Sequence, residues 1–269
     1  MRPLTGKVIG AHQKIDRLAR ASLTRLVKHN QAFPSSKLIL RFEGVKGPDA
    51  LKRKSPAKDE PWHYYRPFED VDQQFLDTLG GHYDELVSAL TAKDEIRAAF
   101  EAAWLAHAIV DGLTPAHHFP YEEKLAELRG GEGMETRTSL KTKMIMPGDT
   151  RREMLRNNWK MWGPKGLISS HGVFEWGVAL MLAPMGKRRV KLTKHDILEL
   201  QKYGMLGLFR RKAREVAALG VYEKYVRHGW TPPLARSVRR RVVPAIIKTV
   251  TLAWYAAAID AGIAEDDTK

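Results

Sequence analysis

The chain has 269 residues, of which 43% are hydrophobic and 28% are charged, a composition that excludes an intrinsically disordered protein. No window reaches the roughly 18 uninterrupted apolar residues of a membrane span, and the N-terminal stretch lacks the apolar region of a signal peptide. The sequence therefore predicts no transmembrane segment and a cytoplasmic protein, or a secreted one if the true start lies upstream. Without cysteine there are no disulfides or thiolate metal ligands, so a metal site must use nitrogen and oxygen.

The net charge of +14 comes from 45 Lys and Arg residues against 31 Asp and Glu residues. Such an excess favours polyanionic partners, namely a phosphorylated substrate, single-stranded nucleic acid or peripheral contact with an anionic membrane surface. A solvated basic surface without a partner explains the charge equally well.

The first third of the chain combines two predicted helices with a long irregular region. Apolar residues at helical spacing predict a helix over about residues 6–29, with His12 near its start. Residues 30–71 lose this periodicity and are rich in Pro, Gly, Lys and aromatics, which predicts a long loop of the kind that often carries function. A further helix is expected over 72–92, bent or broken at Gly80 and Gly81.

The central helix carries a histidine on its apolar stripe. This stripe consists of Ile96, Phe100, Ala103, His107 and Val110. Gly112 and Pro115 end the helix, so Asp111 falls on its last turn and His117 lies just beyond it. His107 is therefore expected to point inward.

The remaining sequence predicts helices at about 150–162, 165–183, 193–217 and 232–263, the last two joined near 220–233. In the second of these, His171 and Glu175 lie on the same face as several apolar residues and are expected to point inward. There is little strand-like alternation. We predict an all-α single domain over 1–269, with a metal-site part at 1–183 and basic C-terminal helices at 186–269 that complete the core.

Several histidines are followed four residues later by an acid, a spacing that puts both side chains on one helix face, where they can share a metal ion. Ten histidines among this many acids should give roughly one such pair by chance. The chain has five: His12 with Asp16, His107 with Asp111, His118 with Glu122, His171 with Glu175, and His195 with Glu199. A structural hydrogen bond explains one buried pair, but two such pairs and His117 favour a metal site. The His118 and His195 pairs lie in polar surroundings and are expected to be surface ion pairs.

With Asp49 and His63 upstream, the ordered series resembles the zinc-dependent phospholipase C and single-strand-specific zinc nuclease superfamily. The resemblance rests on Asp49-x13-His63, His107-x3-Asp111-x5-His117 and His171-x3-Glu175, which cover most of residues 1–183. Members of that family are all-helical and use a trinuclear zinc cluster. The final Glu is more like the phospholipase branch, since the nuclease branch tends to have Asp there.

The resemblance implies a ligand set of two to three Zn²⁺ ions. A first zinc would be held by Asp49, His63, His107 and Asp111. A second would be held by His117, His171 and Glu175. A third would be held by Asp111, as a bridge, together with His12. Asp49 is also the candidate catalytic residue, which would orient or deprotonate the attacking water.

One feature departs from the family. There the third zinc also binds the free amino group and carbonyl of an N-terminal Trp, whereas this chain begins Met-Arg-Pro-Leu. The amine of Met1, eleven residues before His12, is the remaining candidate for that place.

The expected function is therefore zinc-dependent phosphodiester hydrolysis of the phospholipase C type with a metal-activated water. A nuclease acting on single strands is the alternative within the same chemistry. A non-catalytic helical protein that keeps a structural metal is the alternative from another class.

Overall fold

The computed structural model describes residues 10–27, 32–44, 47–49, 63–133, 136–186 and 190–265, and every regular element among them is helical. The predicted all-α fold is confirmed. The α-helices are α1 (Ala11–Leu23), α2 (Ser36–Glu43), α3 (Gln73–Thr91), α4 (Glu95–Gly112), α5 (Tyr121–Leu128), α6 (Leu140–Met144), α7 (Arg151–Trp162), α8 (Leu167–Leu182), α9 (Lys194–Ala217), α10 (Val221–His228), α11 (Pro232–Ser237) and α12 (Val243–Asp260). A 3-10 turn (Pro115–His118) follows α4, and a π-helical turn (Val238–Val242) joins α11 to α12.

The C-terminal helix α12 forms the centre of the core, where it packs against α1, α3, α4 and α9. Its Trp254 is fully buried and donates a hydrogen bond to the carbonyl of Ala102 in α4 (3.0 Å). Among the described residues, one continuous stretch, Pro232–Asp260, has the length and mean hydropathy of a membrane span. Since 72% of the apolar 18-residue segment within this stretch is buried inside the protein, its contacts are those of a core helix.

The pair α3 and α4 supports the end of the molecule that carries the candidate site. Four buried side chains of α3 recur at helical spacing, namely Phe75, Leu79, Leu86 and Leu90. A break at Gly80 and Gly81 is wrong, because α3 continues through both glycines while it packs along α4. Asp94 caps α4 by accepting a hydrogen bond from the backbone N–H of Arg97 (2.9 Å).

Several short helices lie where loops were expected. The predicted loop at 30–71 contains α2, which Ser35 caps by accepting a hydrogen bond from the backbone N–H of Leu38. Helix α10 likewise occupies the predicted connection between 220 and 233. Helices of eight residues complete barely two turns, too few for an apolar period to stand out. The first helix is shorter than predicted, since α1 spans Ala11–Leu23 and turns follow it.

Candidate metal centre

A cavity of about 1230 Å³ opens beside α1, the C-terminal end of α4 and α8. Its lining includes seven of the residues predicted as metal ligands, namely His12, Asp49, His63, Asp111, His117, His171 and Glu175. The eighth, His107, is fully buried directly behind Asp111. The structure thus brings together side chains from five separate stretches of the chain. Met1, the remaining predicted ligand, lies outside the described residues.

The buried carboxylate of Asp111 is the hub of this arrangement. Its Oδ2 lies 2.6 Å from His63 Nδ1 and 3.2 Å from His107 Nε2, and its Oδ1 lies 3.3 Å from His12 Nε2. Burial alone would raise the pKa of Asp111, but the neighbouring His117 and His107 outweigh burial and hold it well below the usual range. Asp111 is therefore an anion that several imidazoles surround.

A second group forms on the other side of the cavity around Glu175. One carboxylate oxygen, Oε1, lies 2.8 Å from His117 Nε2 and 3.1 Å from His171 Nε2. The expectation that Glu175 points into the core is wrong, because its side chain is 43% exposed and faces the cavity. Its neighbour Phe174 fills the core instead, since one residue step along a helix turns the side chain by about 100°.

Asp49 lies at the exposed edge of the site. Its side chain is 59% exposed, and its Oδ1 is 3.8 Å from His107 Nε2. With His12 and His107 it forms a third group whose ligand atoms lie within 4.8 Å of one another. Among the predicted ligands that the structure describes, Asp49 thus has the most solvent access, as a residue that acts on water would need.

Hydrogen bonds at the outer ring nitrogens fix how His107 and His117 face the cluster. His107 Nδ1 lies 3.0 Å from Glu43 Oε1, and His117 Nδ1 lies 2.5 Å from the carbonyl oxygen of His63. An ionised carboxylate and a carbonyl can only accept hydrogen bonds, so both Nδ1 atoms carry the proton. In a neutral ring the other nitrogen, Nε2, then presents a lone pair. Those lone pairs point at the carboxylates of Asp111 and Glu175.

Two electron-rich atoms at such distances need a proton or a cation between them. In the absence of a cation the proton is retained: burial lowers the pKa of His107, but Asp111 and Glu43 outweigh it and raise the pKa well above the usual value. The pKa of His117 is raised in the same way, by Asp111 and Glu175 against the effect of burial. A divalent cation can take the place of these protons, because metal ligands bind in their deprotonated forms.

The donor set fits zinc. Imidazole nitrogens and carboxylate oxygens bind zinc at about 2.0–2.2 Å, so that two ligand atoms on one tetrahedral ion lie roughly 3.3–3.6 Å apart. The His12–Asp111, His107–Asp111 and His171–Glu175 separations of 3.3, 3.2 and 3.1 Å are close to that spacing. His12 Nδ1 and His171 Nδ1 are buried and have no hydrogen-bond partner among the described residues.

Two buried acids of the site were not among the predicted ligands. Glu43, at the end of α2, is 5% exposed and holds the outer nitrogen of His107. Asp16 is 2% exposed, and neither of its carboxylate oxygens has a hydrogen-bond partner among the described residues. Burial, with Glu43 nearby, raises the pKa of Asp16 well above the usual value, which favours the neutral form of its carboxyl group. The His12–Asp16 spacing was a signal for Asp16, whereas Glu43 lay in a predicted loop.

The two pairs expected at the surface behave differently. His195 is 78% exposed and lies 3.8 Å from Glu199, so its predicted surface position is confirmed. Glu199 itself is buried and pairs more closely with Lys212 (2.8 Å) and Arg211 (3.0 Å). The predicted His118–Glu122 pair is wrong: Glu122 instead pairs with the buried Arg137, and His118 is half-buried. His118 donates from Nε2 to the carbonyl of Gly112 (2.9 Å), and burial lowers its pKa to about 4.

This low pKa predicts that His118 weakens the fold in acid. Between pH 7 and pH 5 the histidine gains a proton in the unfolded chain, with its ordinary pKa of 6.5, but not in the folded protein. This difference between the pKa of His118 in the folded and in the unfolded protein favours unfolding by about 2 kcal/mol at pH 5. We expect His118→Gln, which keeps a donor for Gly112, to reduce the loss of unfolding free energy over this range by about 2 kcal/mol. Urea unfolding of both proteins at pH 7 and pH 5, in the presence of a chelator, measures this loss of unfolding free energy. An identical loss in the two proteins would contradict the low pKa of His118.

No protein-family model matches the chain, and no match was found among curated proteins or solved structures.

Proposed function

We propose that this chain is a zinc-dependent phosphodiester hydrolase of the phospholipase C type. The observation that supports this most strongly is the orientation of His107 and His117. Their outer nitrogens donate to Glu43 and to the His63 carbonyl, while their inner nitrogens face the carboxylates of Asp111 and Glu175. Histidines that bind a metal typically have such a partner on the outer nitrogen.

Two to three zinc ions would be held by the residues of the cavity. The first ion would use Asp49, His63, His107 and Asp111. The second would use His117, His171 and Glu175. A third would use His12 and Asp111. When bound, such ions supply a nucleophile by lowering the pKa of a water to about 7, and they neutralise charge on the phosphoryl oxygens.

The chain's own side chains complete the site in three ways. Asp49, which is exposed at the edge of the cavity, accepts a hydrogen bond from the attacking water and orients it. Glu43 and the His63 carbonyl keep His107 and His117 in the productive ring orientation. Lys143 brings positive charge to the cavity, and Leu125, Met161 and Ile168 give it an apolar wall. A phosphodiester with an apolar portion matches this combination of surfaces.

The test is a metal analysis followed by three hydrolysis assays on the purified protein. We expect two to three zinc ions per chain and hydrolysis of p-nitrophenyl phosphocholine and of phosphatidylcholine vesicles. Hydrolysis of single-stranded DNA or RNA alone would identify a nuclease and overturn the phospholipase assignment. Bound zinc without hydrolysis of any of these substrates would overturn the enzyme proposal in favour of a structural metal.

A further inference from the structure

Exposed apolar side chains gather on α6, α7 and α8 beside the cavity. We call this surface the tryptophan face and define it by Met144, Leu155, Trp159, Trp162, Trp176 and Leu180, which are 37–69% exposed. Helices α7 and α8 pack against each other, and Trp162 Nε1 donates to the carbonyl of Met144 (2.8 Å). Met144 and Trp176 also line the cavity, so the tryptophan face borders its mouth.

The exposed residues do not lie on the faces of these helices that pack into the core, because the same helices bury other apolar side chains. On α8, Phe174, Val178 and Leu182 are buried in the core, while Val173, Trp176 and Leu180 form an exposed stripe at i, i+3 and i+7. On α7, Met161 is buried while Leu155 and Trp159, one turn apart, are 68% and 69% exposed. A helix that is apolar on both sides matches surroundings that are apolar on both sides.

The charge around this face is strongly positive. Residues 140–165 contain seven Lys and Arg residues against only Asp149 and Glu153. Arg151, Arg152, Arg156 and Lys160 of α7 are all exposed, next to Leu155 and Trp159. Tryptophan prefers the boundary between lipid and water, and basic side chains beside it are attracted to anionic head groups.

We infer that the tryptophan face docks on an anionic phospholipid bilayer. A lipid surface is favoured over nucleic acid because Met144, Leu155 and Leu180 have no flat ring on which a base could stack. It is favoured over a second copy of the chain because a symmetric pairing would bring the same basic residues together. Docking in this orientation puts the cavity mouth against the lipid. That this delivers a substrate rests on the proposed function, whereas the docking itself rests only on the exposed residues.

Vesicle sedimentation with the full chain tests the inference. The vesicles are phosphatidylcholine alone and phosphatidylcholine with one quarter phosphatidylserine. We expect the partition coefficient to be at least about fivefold higher on the vesicles that contain phosphatidylserine, and Arg152→Gln/Arg156→Gln to remove most of that preference. Leu155→Ser/Trp159→Ser should lower binding at least about tenfold, and Trp176→Ser by a smaller factor. Hydrolysis of a soluble phosphodiester by the Leu155→Ser/Trp159→Ser variant should be unchanged.

The matched control is Leu198→Ser. Leu198 is 56% exposed, as is Leu180, but it lies on α9, which packs against α12. This control should bind vesicles within about twofold of the unchanged protein. Circular dichroism establishes that each variant is folded. An equal loss of binding in Leu198→Ser and in Leu155→Ser/Trp159→Ser would overturn the inference, as would an unchanged protein that binds single-stranded DNA but neither type of vesicle.

The docking and the proposed function fail in different ways. His107→Ala should bind vesicles like the unchanged protein, because His107 is buried away from the tryptophan face. Vesicle binding without hydrolysis of any phosphodiester would overturn the proposed function and leave the docking intact. Hydrolysis of a soluble phosphodiester without vesicle binding would overturn the docking alone.

Discussion

Replacing His107 with Ala, or Asp111 with Asn, is expected to lower kcat/KM for a soluble phosphodiester by at least about a thousandfold, equivalent to about 4 kcal/mol. His107 Nε2 faces the carboxylates of both Asp111 and Asp49. Asp111 lies within 3.3 Å of His12, His63 and His107. Asp111 is a proposed ligand of both the first and the third zinc ion, and His107 is a proposed ligand of the first. Each change therefore removes a ligand atom from the proposed cluster. Steady-state kinetics and the zinc content of each variant measure the effect, and both variants should lose at least one ion per chain.

His195→Ala and His118→Ala are the controls for these substitutions. His195 is 78% exposed, outside the residues that line the cavity, and His118 turns its Nε2 toward the Gly112 carbonyl. Both should keep kcat/KM within about twofold of the unchanged protein. If all four variants lost activity alike, or all four kept it, the assignment of ligands would be wrong.

The paired residues of the cluster could be predicted from the sequence because the members of each pair lie one helical turn apart. A helix fixes the distance between His107 and Asp111, and between His171 and Glu175, since residues four apart share a face. The order and spacing of Asp49, His63 and His117 then completed the set by resemblance. The structure brings the eight described members of the predicted set to one cavity or directly behind it, whereas Met1 lies outside the described residues.

The surroundings of these residues could not be predicted in the same way. Glu43 lies on a helix of eight residues, too short for its period to be visible, so its contact with His107 had no signal in the sequence. Helical spacing shows which residues share a face but not which element covers it. Glu175 was therefore expected in the core although it faces the cavity, and His118 was expected to pair with Glu122 although Arg137 occupies that acid.

Metal removal is expected to destabilise the whole fold, because the site joins α1, α4, α8 and the segments between them. Ions that bind only the folded state stabilise it by about 2.7 kcal/mol each at a free concentration one hundred times their Kd, so two ions contribute about 5 kcal/mol. For a domain of this size, that lowers the Tm by about 10–20 °C when a chelator strips the zinc. Scanning calorimetry with zinc and with excess chelator measures the shift.

Asp16→Asn and Asp111→Asn form a matched pair for this measurement, since both replace a buried Asp within the same cluster. Asp16 has a raised pKa, which favours its neutral form, so its replacement by the neutral amide should leave the chelator-dependent shift in Tm largely intact. Asp111 has a lowered pKa and is an anion, so its replacement removes charge from the proposed ligand set and should abolish most of the shift. A shift below about 2 °C in the unchanged protein would contradict the metal centre.

Zinc affinity is also expected to depend on pH. The raised pKa values of His107 and His117 favour bound protons on both residues when no zinc is present. Because zinc must displace these protons, its affinity should fall as the pH is lowered from 8 to 6.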